Sequence, residues 1–194
     1  MAHHVYTTPG FIVHSMPQGE ANKYLLIFTR ELGMIGATVQ GVRLSQSKLR
    51  YYTQDFSRGL FSVVRGKEVW RMVGAKEVNE NNDEMDAENK KLFVRVLSLL
   101  KRLLHGEEKN EKLFDVVESL YRYLFHNLGE AKRELVEYLT VFRILNCLGY
   151  IHPRGVLDTL CTSTEIDEEI LEILRLNKSM VLREVNDGLK ESQL

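Results

Sequence analysis

The fold of this protein is indicated first by residues 24–41, which read YLLIFTRELGMIGATVQG. The first six of these residues form an apolar run of the length of a buried strand. A second run covers residues 34–40, between Gly33 and Gly41. Two consecutive strands are therefore predicted here.

Three further strands are predicted on either side of this pair. Residues 11–16 are short, apolar and bounded by Gly10 and Pro17, whereas residues 60–65 and 68–73 flank a turn at Gly66 and Lys67. About 19 residues separate the third strand from the fourth, so a short helix or ordered loop is expected around 47–56. Five strands with an element after the third outline a five-stranded Greek-key barrel, the OB-fold. An SH3-like barrel has a similar strand count and stays open as an alternative.

The rest of the chain has helical periodicity. Apolar residues recur at three- and four-residue steps over 90–105, 113–128 and 135–145. Gly106, Gly129 and Gly149 are placed as residues at helix ends. A fourth helix is predicted with Thr164 as its N-cap and Asp167 three residues later, and a fifth is predicted over about 178–189.

The two parts of the chain also differ in charge. Residues 1–76 hold ten Lys and Arg against four Asp and Glu, although the 194-residue chain has a net charge of −1. A polar, acidic stretch at 79–84 is a natural linker. We therefore predict an α+β protein with an OB-fold domain at 1–78, a linker at 79–84 and an all-α domain at 85–194. The basic part suits a polyanion such as nucleic acid, although small domains also reach this charge by chance.

Several classes of protein are disfavoured. No apolar run approaches the roughly 18 residues that a membrane span needs, and the first residues lack the pattern of a signal peptide. Cys147 and Cys161 are the only cysteines, which fits a reducing compartment and predicts a cytoplasmic protein. The phosphate-binding, dinucleotide-binding and zinc-protease motifs are missing, so a non-catalytic protein without a cofactor is expected. An enzyme with an unrecognised site is the outside alternative.

The first 78 residues resemble the N-terminal domain of RecO, a bacterial DNA repair and recombination mediator. The resemblance is carried by an ordered set of motifs at residues 10–13, 19–33, 41–43, 47–50 and 54–57, and more loosely by residues 145–150. It implies an OB-fold that binds single- and double-stranded DNA, followed by a helical domain. It also implies strand annealing and assistance in loading the recombinase RecA, with RecR and the single-stranded-DNA-binding protein as partners. The protein would then be associated with the nucleoid.

The chain departs from the family pattern in two places. Many RecO proteins carry a four-cysteine zinc site, whereas here Cys147 and Cys161 stand fourteen residues apart with only His152 between them as a further ligand type. These spacings do not form a recognisable tetrahedral site, so no metal is expected and the chain resembles a short form without the zinc module. Asn22 replaces an acid that is common at this position in the family.

Candidate DNA-binding residues come mainly from the link between the third and fourth strands, which has four cations and one acid. They are Arg43, Lys48, Arg50 and Arg58, with Lys23 and Arg30 as further candidates beside the second strand. Tyr51, Tyr52 and Phe56 lie among them. We expect these aromatic rings to pack the loop helix against the barrel, with stacking on bases as the alternative.

The acidic helical part is expected to pack its aromatic residues between helices or to receive a protein partner. An acidic peptide would need a nearby cation such as Arg122, Lys132 or Arg133. A second function therefore stays open, that of an OB-fold adaptor that binds protein without contacting DNA. Partner binding that is almost independent of salt would favour the adaptor.

Overall fold

The computed structural model describes residues 4–76 and 85–192, which form two compact units. Among the described residues, the first unit comprises 4–76 together with 104–109, and the second comprises 85–103 and 110–192. The linker predicted at 79–84 lies outside the described residues.

The first unit is a closed five-stranded barrel. Its strands are β1 (Val5–Gln18), β2 (Asn22–Thr29), β3 (Gly33–Val39), β4 (Arg58–Arg65) and β5 (Trp70–Lys76). Around the barrel they follow the order β1-β2-β3-β5-β4, and every pairing is antiparallel except that between β3 and β5. A 3₁₀ helix at Lys48–Thr53 fills the link between β3 and β4, where an ordered element was expected. The predicted OB-fold is confirmed.

Strand β1 is longer than predicted because it serves two neighbours. Its first half pairs with β4 and its second half with β2, and Gly10 is the point where both pairings meet, opposite Thr29 and Gly59. A Cβ atom on Gly10 would lie 2.9 Å from the Phe28 carbonyl oxygen, so glycine allows this close approach. Gly10 and Pro17 therefore lie inside the strand that they were expected to bound.

The barrel is closed by a short seam between β3 and β5. Only two residue pairs align there, Ala37 with Trp70 and Thr38 with Arg71. Residues 104–109 of the same unit lie against the strands on both sides of the seam. The backbone of Glu108 lies so close to Gly33 that a Cβ on this glycine would overlap it, and the Glu107 carboxylate accepts a hydrogen bond from Trp70 Nε1 at 3.0 Å.

Alternating apolar side chains from all five strands fill the barrel. Ile12, Ile27, Ile35 and Phe61 are fully buried, and Met72 of β5 joins them. The outward residues between them carry the polar and charged groups, as the period of two requires. The cations considered below therefore lie on a rigid support.

The second unit is all helical, as predicted. Its helices are α1 (Ala87–Leu103), α2 (Glu111–Tyr123), α3 (Glu130–Cys147), α4 (Glu168–Leu176) and α5 (Lys178–Glu191), with a 3₁₀ helix at Gly155–Cys161. Gly149 ends α3 with a φ of +80°, while the N–H of Tyr150 donates to the Leu145 carbonyl, which is a Schellman ending.

Two predicted helix ends need correction. Thr164 does not cap α4; Asp167 is the N-cap, and its Oδ1 accepts the N–H of Ile170 at 2.8 Å. A carboxylate directly at the positive end of the helix satisfies the free N–H group of the third helical residue, Ile170. Gly129 does not end α2, which stops at Tyr123, but precedes the first residue of α3.

Candidate nucleic-acid interface

The 3₁₀ helix is tied to the barrel by one of the predicted DNA-binding residues. Lys23 of β2 donates from Nζ to the carbonyl oxygen of Thr53 at 3.0 Å. Thr53 is fully buried, and its hydroxyl donates to the Arg50 carbonyl. Lys23 therefore holds the position of the 3₁₀ helix, in addition to any contact with a ligand.

Arg43 also has a partner within the barrel. Its Nη1 donates to the Gly19 carbonyl at 2.8 Å, and its N–H donates to Ala21 at 2.9 Å. Asn22 reinforces the same corner, because its Oδ1 accepts the N–H of Gly41 at 2.9 Å. An amide oxygen thus holds the β3 end against the β1–β2 turn at a position where an acid is common in the resembled family.

Lys48, Arg50 and Tyr51 project into solvent from the 3₁₀ helix. Successive backbone hydrogen bonds from Leu44 to Gly41, Ser47 to Leu44 and Arg50 to Ser47 keep this stretch compact. The expectation that Tyr51 packs against the barrel is wrong, since 80% of its surface is exposed. An exposed ring on the same 3₁₀ helix as two exposed cations can stack on a base while the cations contact phosphates.

The other two aromatic residues of this link are half-buried, as expected of packing residues. The N–H of Phe56 donates to Ile12 of β1 at 2.7 Å. Phe56 has a φ of +67°, a conformation that costs a bulky residue free energy. The turn into β4 is therefore held in a strained form by its contact with β1.

Arg30 and Arg58 lie in a different part of the barrel. Arg30 follows β2 and donates its N–H to Pro9, whereas Arg58 begins β4 opposite Phe11. They flank β1 on its two sides, on the order of 10 Å apart at strand spacing. The structure thus brings Lys23, Arg43, Lys48 and Arg50 to one end of β2 and separates Arg30 and Arg58 from them.

Three cations around the β4–β5 turn were missed by the sequence analysis. Arg65, Lys67 and Arg71 line a groove of about 690 Å³ together with Thr38 of β3 and the acid Glu68. Loops between strands 4 and 5 commonly contribute to oligonucleotide binding in OB-folds. The sequence feature that could have identified them is the presence of three cations within seven residues, 65–71, around the predicted hairpin turn.

One of these cations is neutralised from a distant part of the sequence. Arg65 forms an ion pair with Glu107, and its guanidinium lies 4.9 Å from the centre of the Trp70 ring. Tyr6 contacts the same ring edge-on, with ring centres 5.4 Å apart. The Trp70 side chain is thereby held among one carboxylate, one cation and one aromatic ring.

The cations considered for an acidic peptide are engaged within the helical unit. Arg122 pairs with Glu165 at 3.0 Å, and Lys132 pairs with Glu168, whose hydrogen bond raises the pKa of the lysine. Arg133 donates to Asn89 Oδ1 at 2.9 Å. The aromatic residues pack as expected: Phe114 is buried, and the rings of Tyr121 and Phe125 lie edge-on with centres 5.2 Å apart.

The two cysteines are free thiols. Burial raises the pKa of both, to about 11 for Cys161, so they are poor thiolate ligands in this fold. Over residues 4–76 and 85–192, no cluster of three or more His, Cys, Asp or Glu side chains is arranged to hold a metal. In the same residues no helix is long and apolar enough to span a bilayer.

Comparison with known proteins shows which proteins the barrel resembles. Residues 1–79 match the family model described as Recombination protein O N terminal. The DNA repair protein RecO of Alkaliphilus metalliredigens is 28% identical over 138 residues, which cover 70% of this chain and 53% of the relative. That of Halalkalibacterium halodurans is 23% identical over 158 residues, or 81% of this chain and 61% of the relative. The chain thus spans a little over half the length of these relatives.

A shorter stretch of the chain has a higher identity to a third relative. Over 71 residues, identity to the DNA repair protein RecO of Gloeothece citriformis is 34%, covering 37% of this chain and 25% of the relative. The chain therefore resembles the DNA repair and recombination proteins named RecO, and its barrel carries the sequence pattern of their N-terminal domain.

Proposed function

We propose that this protein binds single- and double-stranded DNA through its barrel and acts without catalysis in DNA repair and homologous recombination. The observation that carries the proposal is the exposed Tyr51, which directly follows Arg50 and lies three residues after Lys48 in the 3₁₀ helix, on an OB-fold that matches the RecO N-terminal domain. Arg43 extends this surface from the neighbouring loop. We call Arg43, Lys48, Arg50 and Tyr51 the 3₁₀ surface.

The proposed mechanism needs no bond to be made or broken. Cations of the 3₁₀ surface neutralise backbone phosphates and release the counterions condensed on them. Two complementary strands held in this way repel each other less, so their bases meet and pair more readily. Tyr51 stacks on an unpaired base and favours the single strand before annealing.

The proposed partners follow from the resemblance to RecO. They are a RecR-like protein, the single-stranded-DNA-binding protein and, indirectly, RecA, whose loading onto DNA this protein would assist. The proposed location is the cytoplasm, in association with the nucleoid. Since Arg122, Lys132 and Arg133 already have partners, an acidic peptide would have to exchange with Glu165 or Glu168 to reach the helical unit.

The proposal is tested by titrating a fluorescent 30-mer single strand with the protein between 50 and 300 mM salt and following anisotropy. Three to four phosphate contacts predict a slope of about −2.1 to −2.8 in log K against log salt, which is about a 40- to 150-fold loss of affinity over this range. No binding at 50 mM would contradict the proposal. Partner binding that hardly changes with salt would favour the adaptor function instead.

Tyr51→Ala is expected to weaken single-strand binding about fivefold or more and to leave the salt slope unchanged. Stacking of one base on an aromatic ring contributes about 1–3 kcal/mol and displaces no counterion. The same titration measures both quantities. Tyr51→Phe is the matched control, because it keeps the ring and should bind like the wild type. Equal affinities for all three proteins would remove Tyr51 from the interface.

A further inference from the structure

The groove at the β4–β5 turn has the chemistry of a phosphate site. The side chains of Lys67 and Arg71 are exposed and make no hydrogen bond or ion pair with the part of the chain that the structure describes. Arg71 lies between the buried residues Trp70 and Met72 of β5, so strand alternation directs its side chain outward. Its neighbour across the seam is Thr38, which also lines the groove.

The third cation of the groove is paired but accessible. In the ion pair between Arg65 and Glu107, 51% of the first side chain and 40% of the second are exposed. Ion pairs this exposed contribute little to stability, so an incoming anion can exchange with the carboxylate at low cost. The Arg65 guanidinium also stays against the Trp70 ring, which restricts where it can turn.

We propose that this groove binds the phosphodiester backbone of a nucleic acid, and that Glu107 is a counter-charge which the phosphate displaces from Arg65. Lys67 and Arg71 make the first contacts, and Arg65 exchanges its carboxylate for a phosphate oxygen. This inference rests on the proposed function, since it adds a second contact surface on the same barrel. In the free protein Glu107 lowers the positive charge of the groove, and it therefore disfavours binding of anions that cannot displace it from Arg65.

The exchange of Glu107 for a phosphate on Arg65 changes how strongly nucleic-acid binding depends on salt. A phosphate that binds Arg65 releases a counterion from the nucleic acid, but the freed Glu107 carboxylate attracts a cation from solution. The net release is therefore small for the wild type. Replacing Glu107 by glutamine removes this compensation and makes the salt dependence steeper by up to about 0.7 for a single strand.

The experiment compares binding of a fluorescent thymidine 30-mer over the same salt range for four full-length proteins. Glu107→Gln keeps an oxygen to accept the Trp70 Nε1 hydrogen bond and removes only the charge. We expect it to bind about two- to fivefold more tightly at 100 mM salt, with the steeper slope. Lys67→Ala with Arg71→Ala is expected to bind at least fivefold more weakly, with a slope shallower by up to about 1.4.

Glu68→Gln is the matched control. It makes the same change in charge at an acid that lines the groove, but Glu68 has no ion-pair partner among residues 4–76 and 85–192. We expect its slope to equal that of the wild type. Trp70 is the only tryptophan of the chain, so its emission reports on the free groove of each variant and on occupation of the groove.

The outcomes separate the two proposals. If the wild type binds and Glu107→Gln has the same slope as Glu68→Gln, Glu107 is not a displaced counter-charge. If the wild type binds and the Lys67/Arg71 variant binds equally well, the groove is not a phosphate site and the 3₁₀ surface stands alone. If the wild type does not bind at 50 mM salt, both the proposed function and this inference are wrong.

Discussion

Lys48→Glu combined with Arg50→Glu is expected to weaken single-strand binding by tenfold or more at 50 mM salt. Both side chains are exposed on the 3₁₀ helix, so the change removes two phosphate contacts and adds two repulsive charges. The salt slope should fall by about 1.4 for the two lost contacts. Anisotropy of the labelled 30-mer measures both effects. Arg43→Glu would test the same surface less cleanly, because its Nη1 also holds the Gly19 carbonyl.

The control for this variant is Lys90→Glu with Arg183→Glu. These two residues are exposed in the helical unit, and their replacement changes the net charge of the protein by the same amount. We expect this control to bind with at most a small loss of affinity. If both variants lose affinity equally, binding depends on overall charge and the 3₁₀ surface has no special part in it.

Gly33→Ala is expected to destabilise the barrel by about 2–5 kcal/mol. Gly33 has a φ of +69°, and a residue with a Cβ pays about 1–2 kcal/mol for this conformation. The new Cβ would also overlap the backbone of Glu108, so residues 104–109 would have to move at a further cost of about 1–3 kcal/mol. Denaturant unfolding followed by Trp70 emission reports the stability of the barrel unit alone.

Gly19→Ala separates the cost of the backbone conformation from the cost of the overlap with Glu108. Gly19 has a similar φ of +62°, but a Cβ there would meet no atom within 4 Å. It should therefore cost only the conformational part, about 1–2 kcal/mol. Equal losses for the two variants would mean that the segment 104–109 does not depend on its close approach to Gly33.

Local pattern was sufficient for most of the fold. The apolar runs at 24–29 and 34–40 predicted β2 and β3 to within two residues, because side chains in a closed barrel face either the core or the solvent. It failed at β1, where Gly10 and Pro17 have the local features of strand boundaries. Only the simultaneous pairing of β1 with β2 and β4, which is a property of the closed barrel, explains why the strand continues through them.

The candidate site was less predictable because cations serve several purposes. Lys23 and Arg43 are residues of the type that binds phosphate. Each nevertheless donates a side-chain hydrogen bond to a backbone carbonyl of the barrel unit. Tyr51 has a sequence context similar to that of its neighbour Tyr52, yet in the 3₁₀ helix Tyr51 is exposed to solvent and Tyr52 is half-buried. Glu107 could not be connected with Arg65, because a sequence separation of 42 leaves no local signal for the contact.

The barrel unit is discontinuous along the chain, and this has a consequence for how the protein is made. All five strands precede residue 77, but the residues that lie against the β3–β5 seam follow α1. During synthesis the strands leave the ribosome first, so the nascent barrel lacks Glu107 and Glu108 until translation has passed α1. The indole N–H of Trp70 has no carboxylate partner during that interval. Amide hydrogens near the seam should exchange faster in a nascent chain whose emerged part ends before residue 104 than in one whose emerged part extends beyond residue 109.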